Sequence, residues 1–158
     1  MPNRIEPKLI TPLYEILQKE HFCTIATVDY ETNGPNVNSI SWVFACDDMT
    51  LLFAVDNRSR IVLNIKHNEK IVLHLIANES TYSISGDAVI KVEKIDGIPI
   101  KLALIEMKIN EVRDVMFYGS KISVEPKYDK TYDKVAAERL DKQVMNALKR
   151  EAQMDRKE

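Results

Sequence analysis

Two arginines and a serine stand together in the segment 56–60, which reads Asp-Asn-Arg-Ser-Arg. The segment follows a strand-like apolar run, 51–55, and precedes apolar residues at the helical spacing of Ile61, Val62 and Ile65. The first turn of a helix offers unpaired backbone N–H groups and a partial positive charge, both of which favour an anion. Guanidinium groups add planar, permanently charged donors that suit phosphate. One interpretation is therefore a site for a phosphorylated ligand.

The same residues also fit a purely structural interpretation. Asn and Ser are common helix N-caps, because their side-chain oxygens accept hydrogen bonds from the first free N–H groups. In that case Asn57 or Ser59 caps the helix, and Arg58 and Arg60 remain in solvent. The sequence of this segment alone leaves both interpretations open.

The other reactive side chains do not form a catalytic or metal-binding motif. Cys23 and Cys46 lie in strand-like segments without CxxC spacing, so we expect buried thiols, although a disulfide stays possible. His21, His67 and His74 are scattered and predict no metal site. No serine has the His and Asp partners of a nucleophile. We expect no catalytic side chain.

Composition excludes several classes of function. The chain has 158 residues, enough for one domain with a buried core, and we treat 1–158 as a single domain. A formal net charge of -2 argues against a nucleic-acid partner. No apolar run approaches the ~20 residues that span a bilayer, so no membrane association is expected. The first six residues lack the apolar core of a signal peptide, which predicts a cytoplasmic protein.

The pattern of apolar residues predicts a mainly β (α+β) protein. Alternation and β-branched residues predict six strands, and helical spacing predicts three helices. The predicted strands are 22–28, 36–45, 50–55, 71–76, 82–92 and 104–109, with 112–118 as a candidate continuation of the last; the predicted helices are 11–20, 59–67 and 133–153. Short connections between strands require antiparallel pairing. A succession of about six such strands, with one short helix after the third, favours a small closed antiparallel barrel.

Some segments carry more specific expectations. The almost wholly apolar strand 71–76 is expected to be buried on both faces, and Gly86 suggests a bulge or a close backbone approach. The segment 120–132 is expected to be an exposed connector. In the last helix, apolar residues repeat at intervals of four and predict a stripe that covers the barrel or, alternatively, binds a partner. The stripe consists of Ala136, Leu140, Val144 and Leu148.

The order of these motifs resembles the pyridoxamine 5'-phosphate oxidase-like, FMN-binding split-barrel family. Residues 23–29 and 34–42 are similar to the opening hairpin of that family. Ser59-Arg60, Asn64-Ile65 and residues 68–73 then follow in the family's order, and 82–88 resembles its Gly-containing strand. The resemblance covers about residues 10 to 118. It implies a split barrel that forms a homodimer, with FMN bound at the interface.

The resemblance also implies roles for particular residues. The flavin ring would lie beside the second strand and the end of the third, and the phosphate would lie at the start of the helix after it. Thr81 would reach the flavin from the partner subunit. The implied ring residues are Asn38, Ser39, Ile40, Ser41, Trp42, Ala54 and Val55. The implied phosphate residues are Ser59 and Arg60, with Arg58 in place of the lysine that the family has where this chain has Ile61.

Two departures from the family argue against vitamin B6 chemistry. Asn38 stands where true pyridoxamine phosphate oxidases have an arginine, and the chain lacks their C-terminal Arg-Leu-x-Pro segment. The resemblance therefore implies an FMN-dependent oxidoreductase that moves hydride or electrons between a nicotinamide or small-molecule donor and an unknown acceptor. The alternatives are a non-catalytic carrier of FMN, deazaflavin or haem, and a barrel dimer without a ligand.

Overall fold

The computed structural model describes residues 4–156, and within that range the chain forms eight strands and three helices. In chain order the elements are β1 Ile5–Glu6, α1 Thr11–Ile16, β2 Cys23–Val28, β3 Pro35–Ile40, β4 Val43–Ala45, β5 Thr50–Asp56, α2 Arg60–His67, β6 Lys70–Ala77, β7 Ser80–Val92, β8 Leu102–Asp114 and α3 Lys134–Arg156. None of the helices in this range is both long and apolar enough to cross a membrane.

The strands form one antiparallel sheet in the order β3-β2-β6-β7-β8-β5-β4, with β1 paired to β8. β3 and β4 are the two ends of this order, yet only Ser41 and Trp42 separate them in the chain. The sheet must therefore curl until its two edges meet at this junction. The Ala54 N–H donates to the Trp42 carbonyl (3.1 Å), and the His21 N–H donates to the Ser41 carbonyl (3.2 Å). The predicted mainly β, antiparallel split barrel is confirmed.

The apolar residues form two cores, one on each side of the curled sheet. Inside the barrel, Ile25, Phe53 and Ile105 pack with the buried faces of α1 and α2. On the other side of β5, Leu52 and its neighbours pack against α3. Every residue of β5 except Asp56 is buried, because helix and barrel cover its opposite faces.

The apolar stripe of α3 covers the sheet, as predicted. Val144 and Leu148 are fully buried and Leu140 is partly buried, but Ala136 is exposed and Ala137 is buried in its place. The phase of the helix thus differs from the predicted one in its first turn. Asp133 caps this turn, since its carboxylate accepts from the Ala136 N–H (2.9 Å).

Three expectations about single elements were wrong. The predicted strand 36–45 is two strands, because the chain leaves one sheet edge and joins the other at Ser41-Trp42. β6 is buried on one face only, since α3 covers β4 and β5 rather than β6. The helix that begins at Thr11 ends at Ile16 instead of continuing to Glu20. The expected continuation of 104–109 into 112–118 is confirmed, since 102–114 is one strand, although it ends at Asp114.

Gly86 marks a bulge between β7 and β8, as its position predicted. The register of the two strands shifts between Ser85 and Gly86. A Cβ at this position would overlap the backbone carbonyl of Lys108 and would also meet the Met107 side chain at 2.9 Å. Glycine is therefore required by the close approach of β8.

We expect Gly86→Ala to lower the free energy of unfolding by about 1–3 kcal/mol, the usual cost of overpacking a buried site. Urea denaturation measures this difference. Ser85→Ala, at the preceding half-buried position of the same strand, is the matched control and should change stability by less than about 0.5 kcal/mol. Equal stability of Gly86→Ala and the wild type would contradict the close approach.

Candidate functional site

A cavity of about 420 Å³ lies where the β3–β4 junction meets the end of β5 and the start of α2. Its volume is in the range that holds small organic ligands. Eight of the eleven predicted site residues line it: Asn38, Ser39, Ile40, Ser41, Trp42, Ala54, Val55 and Ser59. Asp56, Ile61, Lys130 and Tyr132 complete the lining. The curl of the sheet therefore brings the predicted ring residues and the predicted phosphate serine to one place.

Asn64 fixes α2 relative to the opening hairpin. Its side chain is fully buried. The amide donates to Thr27 Oγ1 and Asn36 Oδ1 (both 2.9 Å) and accepts from the Tyr30 N–H (2.9 Å). A buried amide with its partners satisfied holds a unique arrangement, because any other would leave polar groups unpaired. Asn64 thus holds α2 against the β2–β3 hairpin.

Ser59 is the N-cap of α2, but its side chain makes no capping hydrogen bond. Its Oγ is buried and has no hydrogen-bond partner among the residues that the structure describes. A buried polar atom without a partner costs about 1–3 kcal/mol, so such atoms are uncommon unless a ligand satisfies them. The first two N–H groups of α2 also lack partners within the helix, whereas the third, that of Val62, donates to the Ser59 carbonyl (3.2 Å). Together these donors suit an anionic oxygen. The Ser59 side chain does not cap the helix, in contrast to the structural interpretation of this segment.

The two arginines do not line the cavity. Arg60 Nε lies 2.7 Å from Asp29 Oδ2, its Nη2 lies 2.7 Å from Glu31 Oε1, and its guanidinium stacks over the Tyr30 ring at 4.8 Å. The Arg58 side chain is 82% exposed, and its Nε lies 3.6 Å from Asp56 Oδ1. Arg60 is thus held by two acidic side chains, whereas Arg58 is mostly exposed beside Asp56. Their proposed contact with a phosphate stays a prediction.

Asp29 is the buried member of the ion pair between Arg60 and Asp29. Its hydrogen bond from Arg60, with further bonds from the Thr32 and Glu31 N–H groups, holds its pKa far below the ordinary value. A carboxylate whose pKa is lowered by folding stabilises the protein above its unfolded pKa, which is about 3.9. This stabilisation disappears as the pH falls through the lower, folded-state pKa.

We therefore expect Asp29→Asn to be less stable than the wild type at neutral pH, with the difference shrinking as the pH falls below about 4. Urea denaturation of both proteins between neutral and strongly acidic pH measures this. Asp96→Asn, at an exposed turn, is the control substitution. A difference between Asp29→Asn and the wild type that does not change with pH would show that the pair does not lower the Asp29 pKa.

Charged residues that were not predicted from the sequence as site residues lie at the Trp42 end of the cavity. The Trp42 Nε1–H donates to Asp141 Oδ1 (2.9 Å), and the Ser41 hydroxyl donates to Glu20 Oε2 (2.8 Å). The Lys130 ammonium donates to both carboxylates, at 2.9 Å to Glu20 and 3.1 Å to Asp141. The connector 120–132 was predicted to be exposed. Near its end, however, Lys130 contacts other parts of the chain and lines the cavity. Lys130 comes from a polar segment without a motif, so no sequence signal identified it.

The remaining predicted residue, Thr81, lies in β7 outside the cavity lining. Its carbonyl accepts a hydrogen bond from the Val115 N–H (2.9 Å). The family resemblance assigns this residue to the site of the partner subunit, and that role stays a prediction. In residues 4–156 no group of three or more His, Cys, Asp or Glu could hold a metal ion. Cys23 and Cys46 are both buried, and burial raises the pKa of the Cys23 thiol to about 12.

Residues 12–116 match the family model described as pyridoxamine 5'-phosphate oxidase. The chain belongs to the pyridoxamine 5'-phosphate oxidase-like family. Members of this family generally bind flavin or related cofactors and commonly form dimers. The match covers the barrel and most of the cavity, but the connector with Lys130 and helix α3 lie beyond it.

Solved structures with the same fold are similar to this chain at low sequence identity. A candidate pyridoxamine 5'-phosphate oxidase from Lactobacillus delbrueckii is 18% identical, with a TM-score of 0.59 over 71% of this chain and 98% of that one. HupZ from Group A Streptococcus is 15% identical, with a TM-score of 0.57 over 73% and 99% of the two chains. An F420 reductase is 17% identical, with a TM-score of 0.52 over 62% and 93%. No curated protein matches the chain significantly.

Proposed function

We propose that this family member is an FMN-binding flavoprotein that acts as a homodimeric oxidoreductase. It would move hydride or electrons between a nicotinamide or small-molecule donor and an acceptor. The observation that carries the proposal is the cavity, because eight residues assigned to flavin by the family resemblance line a single space of suitable volume. Membership of a family that generally binds flavins supports the same ligand.

The residues of the cavity fit the two ends of FMN. Ile40, Trp42 and Val55 offer apolar and aromatic walls for the ring. Ser59 has a buried hydroxyl in need of a partner, next to the free N–H groups of α2, where the phosphate would be held. FMN would supply the redox chemistry when bound. The protein's own residues would place the ring and exclude water, and none of those lining the cavity is proposed to act as an acid or base.

A second candidate function is supported by the ion pairs that Arg58 and Arg60 form with acidic side chains. Micromolar binding of a cofactor requires about 8 kcal/mol. A charged hydrogen bond contributes roughly 1.5–3 kcal/mol, so the phosphate contacts matter. Here Ile61 replaces the family lysine, and both guanidinium groups already have acidic partners. This arrangement favours weaker FMN binding, and hence a carrier of deazaflavin or haem without turnover, or a barrel dimer without a ligand; a carrier of FMN without turnover is the alternative if FMN does bind.

We expect the purified protein to release one FMN per chain on denaturation, as measured by mass spectrometry. Light scattering should give twice the mass of one chain.

Ser59→Ala should weaken FMN binding by about tenfold, since it removes one hydrogen bond to a charged group. Ser120→Ala, in the exposed connector, is the control and should bind like the wild type. Absence of FMN from the wild type, even after addition of excess FMN, would refute the flavoprotein proposal.

Turnover is tested separately. With FMN bound, we expect anaerobic NADH or NADPH to abolish the visible absorbance of the oxidised flavin, and an added electron acceptor to restore it. Stopped-flow spectroscopy measures both steps. A protein that holds FMN but is reduced by neither nucleotide, and by no added small-molecule donor, would be a carrier rather than an oxidoreductase.

A further inference from the structure

Lys130 has one donor more than its protein partners use. An ammonium group carries three N–H donors. Two of them reach Glu20 Oε2 and Asp141 Oδ1 in the hydrogen bonds described above. The ammonium nitrogen lies 5.8 Å from the centre of the Trp42 ring, and the residue lines the cavity. The remaining donor has no hydrogen-bond partner among the residues that the structure describes, so it is available to a molecule that lies against Trp42.

Contacts with several parts of the fold fix the position of the Lys130 side chain. Its side chain is 25% exposed. Its two carboxylate partners come from distant parts of the chain, before β2 and within α3, and they also bind Ser41 and Trp42 of the junction. The ring of Tyr128 lies 5.7 Å from the ammonium and packs on Phe22 at 6.2 Å. Burial would lower the pKa of Lys130, but the hydrogen bonds to Glu20 and Asp141 outweigh burial and raise it.

The charge of this group indicates which part of a ligand it would accept. Two carboxylates and one ammonium give Glu20, Asp141 and Lys130 a formal sum of -1. Such a group disfavours a phosphate dianion, because the like charges repel. It suits a neutral ring with carbonyl oxygens, which can accept the remaining N–H without bringing a charge. Trp42 beside it offers a flat surface for such a ring.

We propose that Lys130 is a ligand-binding residue of this cavity, and that its third N–H donates to a carbonyl oxygen of the flavin ring at the Trp42 end. This inference rests on the proposed function. It adds a contact from outside the part of the chain that matches the family model, and it divides the cavity into a ring end at Lys130 and Trp42 and a phosphate end at Ser59.

The experiment uses FMN and riboflavin, which share the ring and differ in the phosphate. Trp42 is the only tryptophan of the chain, so quenching of tryptophan fluorescence reports binding at this cavity. Dissociation constants are measured by fluorescence titration and calorimetry for the full-length wild type, Lys130→Met, Lys130→Arg and Ser59→Ala. Lys121→Met is the matched control, because Lys121 is in the same connector but pairs with Glu79 and is 74% exposed.

We expect Lys130→Met to weaken FMN and riboflavin by the same factor, about tenfold or more, because a charge-assisted hydrogen bond to the shared ring is lost. Lys130→Arg should recover part of this loss, and Lys121→Met should bind like the wild type. Ser59→Ala should weaken FMN alone. Circular dichroism of each variant confirms that it is folded.

Several results would overturn the inference. If Lys130→Met binds both flavins as the wild type does, Lys130 makes no ligand contact. A loss confined to FMN would place Lys130 at the phosphate. A wild type that binds FMN but not riboflavin would show that contacts with the ring do not suffice for binding, which contradicts the proposed ring end. In these cases the proposed function survives, because the wild type still binds FMN. A wild type that binds neither flavin would overturn both the proposed function and this inference.

Discussion

The structure depends on one constraint of connectivity. The two edges of a seven-strand path, β3 and β4, are consecutive in the chain and are separated by two residues. A flat sheet of this order would place its edges about 30 Å apart, since neighbouring strands are spaced by about 4.8 Å. Two residues cannot span that distance, because an extended residue covers at most about 3.5 Å. The curl of the sheet, and hence the barrel, follows directly from the short junction.

The same junction explains why a cavity forms at this place. Where the chain changes from one edge to the other, the Ser41 and Trp42 carbonyls still accept backbone hydrogen bonds, and their side chains bond to Glu20 and Asp141 beside the cavity. Ser59 and the start of α2 line the same cavity, and the buried amide of Asn64 holds α2 to the neighbouring hairpin. Charge is then distributed unevenly around the cavity. Arginines held by Asp29 and Asp56 lie beyond the Ser59 end, whereas two carboxylates and a lysine surround the tryptophan.

Local patterns predicted the fold well, because strand alternation and helix spacing are properties of consecutive residues. They predicted the bulge at Gly86 for the same reason. The division of 36–45 into two strands could not be predicted, since no glycine or proline marks it and the break arises from the curvature of the whole sheet. Family order singled out residues 38–42 and Ser59, which lie at one cavity, and their role in binding a ligand stays a prediction. The pairing of Arg60 with Asp29 and the position of Lys130 depend on contacts between residues far apart in sequence, which no local pattern reports.

Helix α3 gives the protein a feature that its barrel does not contain. The helix covers one face of β5 and also supplies Asp141, which orients both the tryptophan and the lysine of the cavity. Homologous barrels that share only the matched region 12–116 need a different cover for that face, and with it a different wall. Ligand preference in this family can therefore diverge through the C-terminal segment while the barrel sequence stays similar. A change in the C-terminal segment could therefore alter this side of the cavity while every residue of the barrel stays the same.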